Sequence, residues 1–201
     1  MIRVVIAEDQ KMVLGALSAL LEMEGDIQVV GRAPDGAVAL DLVRAEKPDV
    51  LISDIEMPNL TGIDVAARLK ADGAGTRVLI VTTFGRPGYL RRAMDAGVKG
   101  YLLKDGPSSV LAAAVRTIAA GGRAIAPELS EAVWDAEPDP LTDREREILR
   151  LAEEGRSNKD IADVLDLSPG TVRNYLSYAI TKLGVKTRHA AAKHAKSQGW
   201  I

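Results

Sequence analysis

The chain has 201 residues, enough for two small domains that each bury a core. A hydrophobic content of 47% with only 3% aromatic residues predicts cores of Val, Ile, Leu and Ala, and the absence of cysteine excludes disulfides, thiolate metal sites and thiol nucleophiles. The formal net charge of -2 conceals an asymmetry: no Asp or Glu follows Asp166, while Arg173, Lys182, Lys186, Arg188, Lys193 and Lys196 make the end of the chain basic.

The opening MIRVVIAED has too brief an apolar run for a signal peptide or a membrane span, so we expect a cytoplasmic protein with no direct membrane insertion. The runs IRVVIA, IQVVG, DVLIS, RVLIVTT and VKGYLL alternate with helix-length stretches such as Lys11 to Glu24 and Gly36 to Glu46. Apolar residues at successive positions are expected of strands covered on both faces. Residues 1–122 are therefore predicted to form an α/β domain, a doubly wound five-stranded parallel sheet with five helices. Ligands of such sheets sit beyond the carboxyl ends of the strands, where this chain has Glu8, Asp9, Asp54, Thr82, Thr83 and Lys104.

Those residue types share one chemistry. Carboxylates converging at the rim would bind a hard divalent cation such as Mg²⁺, which neutralises an incoming phosphoryl group. Asp54 is then the nucleophile, giving an acyl phosphate, with Lys104 as a point charge on one phosphoryl oxygen and Thr82 bonding another. An aspartate is ionised at neutral pH, so no general base is needed. Any one of these residues alone reads more simply as a solvated loop group; the set together does not.

Residues 123–140 read as a linker, with Pro127, Pro138 and Pro140, several acids and a short helix expected near Glu128 to Trp134. A second domain, small and all-α, is expected over residues 141–201. Thr142 and Glu145 form a capping box opening a helix that Gly155 ends, and the next helix starts at Ser157 with Ile161, Ala162, Val164 and Leu165 as its apolar set. Ser168 then caps a third helix that Pro169 opens. This is helix-turn-helix spacing. In the third helix Val172, Tyr175, Leu176, Ala179 and Leu183 should pack, leaving Arg173, Asn174, Ser177, Tyr178 and Thr181 outward. Arg173 can offer two donors to guanine, Asn174 can bond adenine, and Ser177 allows close approach; Lys159, Thr171 and Lys182 suit phosphates. The bland alternative for this segment is a protein-binding helical hairpin.

The segments IAED, LISDIEMPNLTGID, VLIVTT and GYLLKD resemble the receiver domain of two-component response regulators, over about residues 1 to 122. The segment from LTDREREIL to KLGVKTR resembles the LuxR-type output domain of the NarL/FixJ family. The resemblance implies that Asp54 is phosphorylated by a sensor histidine kinase, that Glu8, Asp9, Asp54 and the Glu56 main-chain carbonyl hold Mg²⁺, and that Thr82 and Tyr101 are a switch pair. It further implies a homodimer on phosphorylation, promoter DNA as ligand, RNA polymerase as a further partner, and no enzyme activity of its own. Within the family, TTFGRPGYLRRAMDAGVKGYLLKDGPSSVL is most like a regulator that works with a membrane-fluidity kinase controlling a fatty-acid desaturase, which implies a cold-sensing, membrane-lipid pathway.

Two positions depart from the family pattern: Glu8 stands for the commoner Asp, and Asp105 for the usual Pro. They motivate an alternative, a degenerate receiver that regulates DNA binding without phosphorylation. A Mg²⁺-dependent phosphohydrolase using Asp54 is a second alternative, set against Glu56 where such enzymes place an Asp. The expected dimer face is the exposed part of Met12, Val13, Leu17 and Leu20 with Val110, Leu111, Ala114 and Ile118, and Glu56 and Phe84 are expected to tune water access to the acyl phosphate.

Overall fold

The protein is described from a computed structural model, which covers residues 1–83, 85–126, 129 and 138–201. Phe84 and the expected short helix at 128–134 lie outside the described residues, apart from the buried Leu129. The described chain divides into two compact units.

The first unit, the start of α4 excepted, alternates strand and helix: β1 (Ile2–Ala7), α1 (Lys11–Glu22), β2 (Ile27–Ala33), α2 (Gly36–Glu46), β3 (Val50–Ser53), α3 (Gly62–Ala71), β4 (Arg77–Thr82), α4 (Pro87–Asp95), β5 (Gly100–Leu103) and α5 (Ser108–Ala119). The sheet is parallel in the order β2-β1-β3-β4-β5, extended at its edge by a sixth strand, β6 (Ala124–Ile125). That strand uses residues read from the sequence as the start of the linker. Two residues are too short to carry a period; they join because the chain reverses at Gly121, in the left-handed region at φ 93°, and Ala124 comes to lie beside Gly100. The central strands are buried along their length, so Val4, Val5, Ile6, Leu51, Ile52, Leu79 and Ile80 form the core. Helix starts are set locally: Asp35 accepts from the Ala37 and Val38 amides, and Thr61 and Asp64 form a reciprocal capping box.

The second unit contains α6 (Asp143–Glu153), α7 (Asn158–Leu165), α8 (Pro169–Lys182) and α9 (Arg188–Gln198). The predicted caps Thr142 with Glu145 and Ser168 ahead of Pro169 are present, and Ser157, expected as the first helical residue, instead caps α7 in a box with Asp160. Ile148, Leu149, Ile161, Val172 and Leu176 meet a run of small alanines, Ala162, Ala179, Ala191, Ala192 and Ala195, which lets short helices approach closely. Val164, expected in the packed set, is 53% exposed. A helix turns about 100° per residue, which swings Val164 off the arc centred between Ile161 and Ala162.

Two further features hold this unit. Asp166 ends α7 in the left-handed conformation at φ 52°, its amide bonded to the Ala162 carbonyl. Glu145 is buried at 3% exposure, where one carboxylate oxygen accepts from the Thr142 amide and from Lys182 Nζ, each at 2.7 Å. This pair ties the end of α8 to the start of α6. Burial pushes the Glu145 carboxyl up, but the Lys182 ammonium and the Thr142 amide outweigh it and hold the group below its ordinary value.

Asp166→Gly should raise stability by about 0.5 kcal/mol, because relief of left-handed strain of roughly 1 kcal/mol exceeds the added entropy of the unfolded chain; chemical denaturation measures it. Glu145→Gln should lower stability at neutral pH by about 2 kcal/mol. A carboxyl whose folded pKa is depressed contributes stability above its unfolded value near 4.5 and loses it as pH falls through the folded value. The difference between wild type and Glu145→Gln should therefore shrink below about pH 4.5, and a gap constant from neutral pH to well below that value would contradict the ion-pair account.

Candidate functional site

β1 is followed by β2 on one side and β3 on the other, so the connections diverge between β1 and β3 and leave a crevice at the carboxyl ends of these strands. Ala7 pairs with Ser53 at the last register position. The next residues, Glu8 and Asp54, are thereby neighbours although far apart in the chain. Asp54 is buried, and its amide donates to the Ala7 carbonyl at 2.9 Å. Oδ1 accepts from the Ile55 amide at 2.6 Å, and Oδ2 accepts from Lys104 Nζ at 2.6 Å. Lys104 arrives from the end of β5, positioned by its own amide bonding the Thr82 carbonyl at 2.9 Å.

Lys104 is shared. Its Nζ also lies 2.7 Å from Glu8 Oε2, a close ion pair. Glu8 Oε1 accepts from the Gln10 amide at 3.2 Å. Burial raises the Glu8 pKa, and nearby Asp54 adds to this; the hydrogen-bonding and charge of Lys104 offset only part of it. Burial pulls Lys104 down, but its contacts with Asp54 and Glu8 outweigh that and hold it above its ordinary value.

Carboxylate oxygens of Glu8, Asp9 and Asp54 lie within 4.8 Å of one another, with Asp9 exposed and the other two buried. Three hard oxygen donors drawn together in one crevice fit a divalent cation of the Mg²⁺ class. The longer Glu8 side chain therefore keeps its carboxylate within the cluster. Glu56, half-buried, follows Asp54 by two positions in the loop to α3. Thr82 is fully buried at the end of β4 and Tyr101 is fully buried within β5, two positions before its end, where Ile80 pairs with Tyr101 and Thr82 with Leu103. The sequence reading missed Gly62. A side chain there would place its Cβ 2.0 Å from the Asp54 carbonyl oxygen, so only glycine lets α3 begin against the loop that carries Asp54. The segment TGID contained that signal, a glycine directly after a capping threonine.

In the second unit α8 presents Arg173, Asn174, Ser177, Tyr178 and Thr181 outward, all exposed, while Val172, Leu176 and Ala179 are buried beneath them. Arg173, Asn174 and Ser177 thus share one accessible face. Lys159 is exposed on the first turn of α7, and Thr171 is half-buried in the first turn of α8 with its amide on Ser168 Oγ. Lys182, read as a phosphate ligand, instead has its ammonium on the buried Glu145, so its charge is offset within the unit. No local pattern marks that pairing, since the partners are separated by 37 positions.

The family model for the response regulator receiver domain matches residues 4–116, and that for bacterial regulatory proteins of the luxR family matches residues 139–195. The chain is 51% identical over 201 residues, the full length of both proteins, to the transcriptional regulatory protein DesR of Bacillus subtilis. It is equally 51% identical, again over the full length of both, to the uncharacterized transcriptional regulatory protein YvfU of the same organism. A solved structure of the two-component response regulator RcsB in complex with DNA aligns with a TM-score of 0.63 at 27% identity, covering 98% of each chain. An acidic crevice at a sheet switch point, followed by a helix-turn-helix with an open polar face, is thus found in a chain that belongs to the two-component response regulators with a LuxR-type DNA-binding domain.

Proposed function

We propose that Asp54 is the phosphoacceptor and that its phosphorylation by a sensor histidine kinase controls dimerisation and promoter binding. The observation that carries this reading is the convergence of Asp54, Glu8, Asp9 and Lys104 in one crevice. Asp54 Oδ1 is held by the Ile55 amide, which leaves Oδ2 to attack phosphorus in line with the kinase histidine nitrogen. The P–O bond forms as the P–N bond breaks, and the electron pair leaves with the imidazole. Lys104 follows the negative charge from the Asp54 carboxylate to a phosphoryl oxygen, a point charge already at the reacting centre. Glu8, Asp9, Asp54 and the Glu56 carbonyl would hold Mg²⁺, whose charge offsets that of the entering phosphoryl group. Thr82 donates its hydroxyl to another phosphoryl oxygen, and Tyr101, two pairings away on β5, responds to that movement.

The face between α1 and α5 supports a pairing surface. Met12, Leu20 and Val110 are exposed there, and the two helices frame an apolar cavity of about 870 Å³ that reaches Lys104 and Asp105. Pairing brings two α8 helices to two half-sites, where Arg173, Asn174 and Ser177 read base edges and Lys159 and Thr171 hold phosphates; RNA polymerase is the further partner of a bound promoter. No described helix is long and apolar enough to cross a membrane, and DNA as ligand favours the cytoplasm.

Beryllofluoride with Mg²⁺ should convert wild type from monomer to dimer in analytical ultracentrifugation, while Asp54→Ala stays monomeric and Val110→Asp fails to pair. A dimer of Asp54→Ala under the same conditions would refute the switch. Arg173→Ala should weaken binding to a duplex selected by wild type from a random pool by about 1–3 kcal/mol, and should relax the base preference at one position; a uniform loss across sequences would reassign Arg173 to a phosphate.

A further inference from the structure

Asp54 lies one residue beyond β3, where the ladder has ended and its carbonyl needs another donor. Ser53 supplies it: this side chain is fully buried, and its hydroxyl donates to the Asp54 carbonyl at 2.8 Å. The same peptide unit has a second function at its other end. Its N–H belongs to Ile55 and donates to Asp54 Oδ1 at 2.6 Å. A peptide group is rigid and planar, so a bond that fixes the direction of its C=O also fixes the direction of its N–H. The Ser53 hydroxyl, the Asp54–Ile55 peptide plane and the Asp54 carboxylate therefore form one chain of contacts.

We infer that Ser53 is a positioning residue for phosphoryl transfer, aiming the Ile55 amide at Asp54 Oδ1 so that Oδ2 is presented as nucleophile. The inference rests on Asp54 being the phosphoacceptor. Gly62 is the complementary half of the arrangement, because a Cβ at that position would lie 2.6 Å from Ser53 Oγ as well as 2.0 Å from the Asp54 oxygen. The bare backbone of α3 leaves room for one hydroxyl. An apolar residue at position 53 would fill the same space but leave a buried carbonyl unpaired and the peptide free to rock, which misaims the carboxylate even though every residue touching phosphate is intact.

The test uses the full-length chain with Mg²⁺ and phosphoramidate as donor, following acyl phosphate formation by intact mass. Ser53→Ala should slow phosphorylation by about 5- to 10-fold, a size consistent with a small misplacement of a reacting group. It should also move the Ile55 amide proton upfield in NMR spectra recorded without Mg²⁺, the direction expected when its hydrogen bond to Asp54 Oδ1 lengthens. Ser53→Cys, with a weaker donor of similar size, should fall between the two and guards against a folding defect in the alanine variant. A Ser53→Ala rate within twofold of wild type, or an unmoved Ile55 resonance, would overturn the inference while leaving the phosphoacceptor reading intact. If Asp54→Ala gains the same mass as wild type, the phosphoacceptor reading fails and the inference with it.

Discussion

Lys104 lies 2.6 Å from Asp54 and 2.7 Å from Glu8, in a crevice where both carboxylates are almost completely buried. Two anions so placed repel each other and have lost most of their hydration, and a single cation between them cannot neutralise both. The site is therefore held short of positive charge by construction. Much of the first unit serves to keep that arrangement in place: the sheet order that sets β1 beside β3, the Lys104 amide anchored on Thr82, and the close approach of Gly62 to the Asp54 backbone. A crevice with unbalanced negative charge favours a cation, and a cation bound there favours a phosphoryl group.

The second unit handles charge in the opposite way. Its one buried carboxylate, Glu145 among the described residues, is satisfied by an amide and an ammonium and serves to fasten α8. Its core of alanines and a few larger aliphatic residues takes up little space, so four short helices suffice and the polar face of α8 remains free. Stability comes from one side of that helix and recognition from the other. The first unit concentrates chemistry at one buried point, and the second spreads it over an exposed surface.

Much of this was legible in the sequence because the signals are local. Five strands follow from apolar runs, and two output-domain caps follow from Thr142 and Ser168 placed before helical patterns. The outward set from Arg173 to Thr181 follows from helical period alone. The failures are equally physical. Val164 is apolar yet exposed because a short helix buries a narrower arc than its composition suggests, and β6 is too short for its periodicity to register.

By itself the sequence determined the alternation of the first five strands with their helices, the first three helices of the second unit and the residue types standing past each strand, since these depend on backbone preference and on spacings of a few positions. Only the tertiary structure decided which of those residues meet. Lys104 reaches Asp54 across 50 positions, and Lys182 turns to Glu145 across 37. The Ser53 hydroxyl turns back to its neighbour's carbonyl because α3 approaches there without a side chain. Pairings of this kind depend on packing between elements distant in the chain, and charge or hydroxyl type alone does not specify a partner.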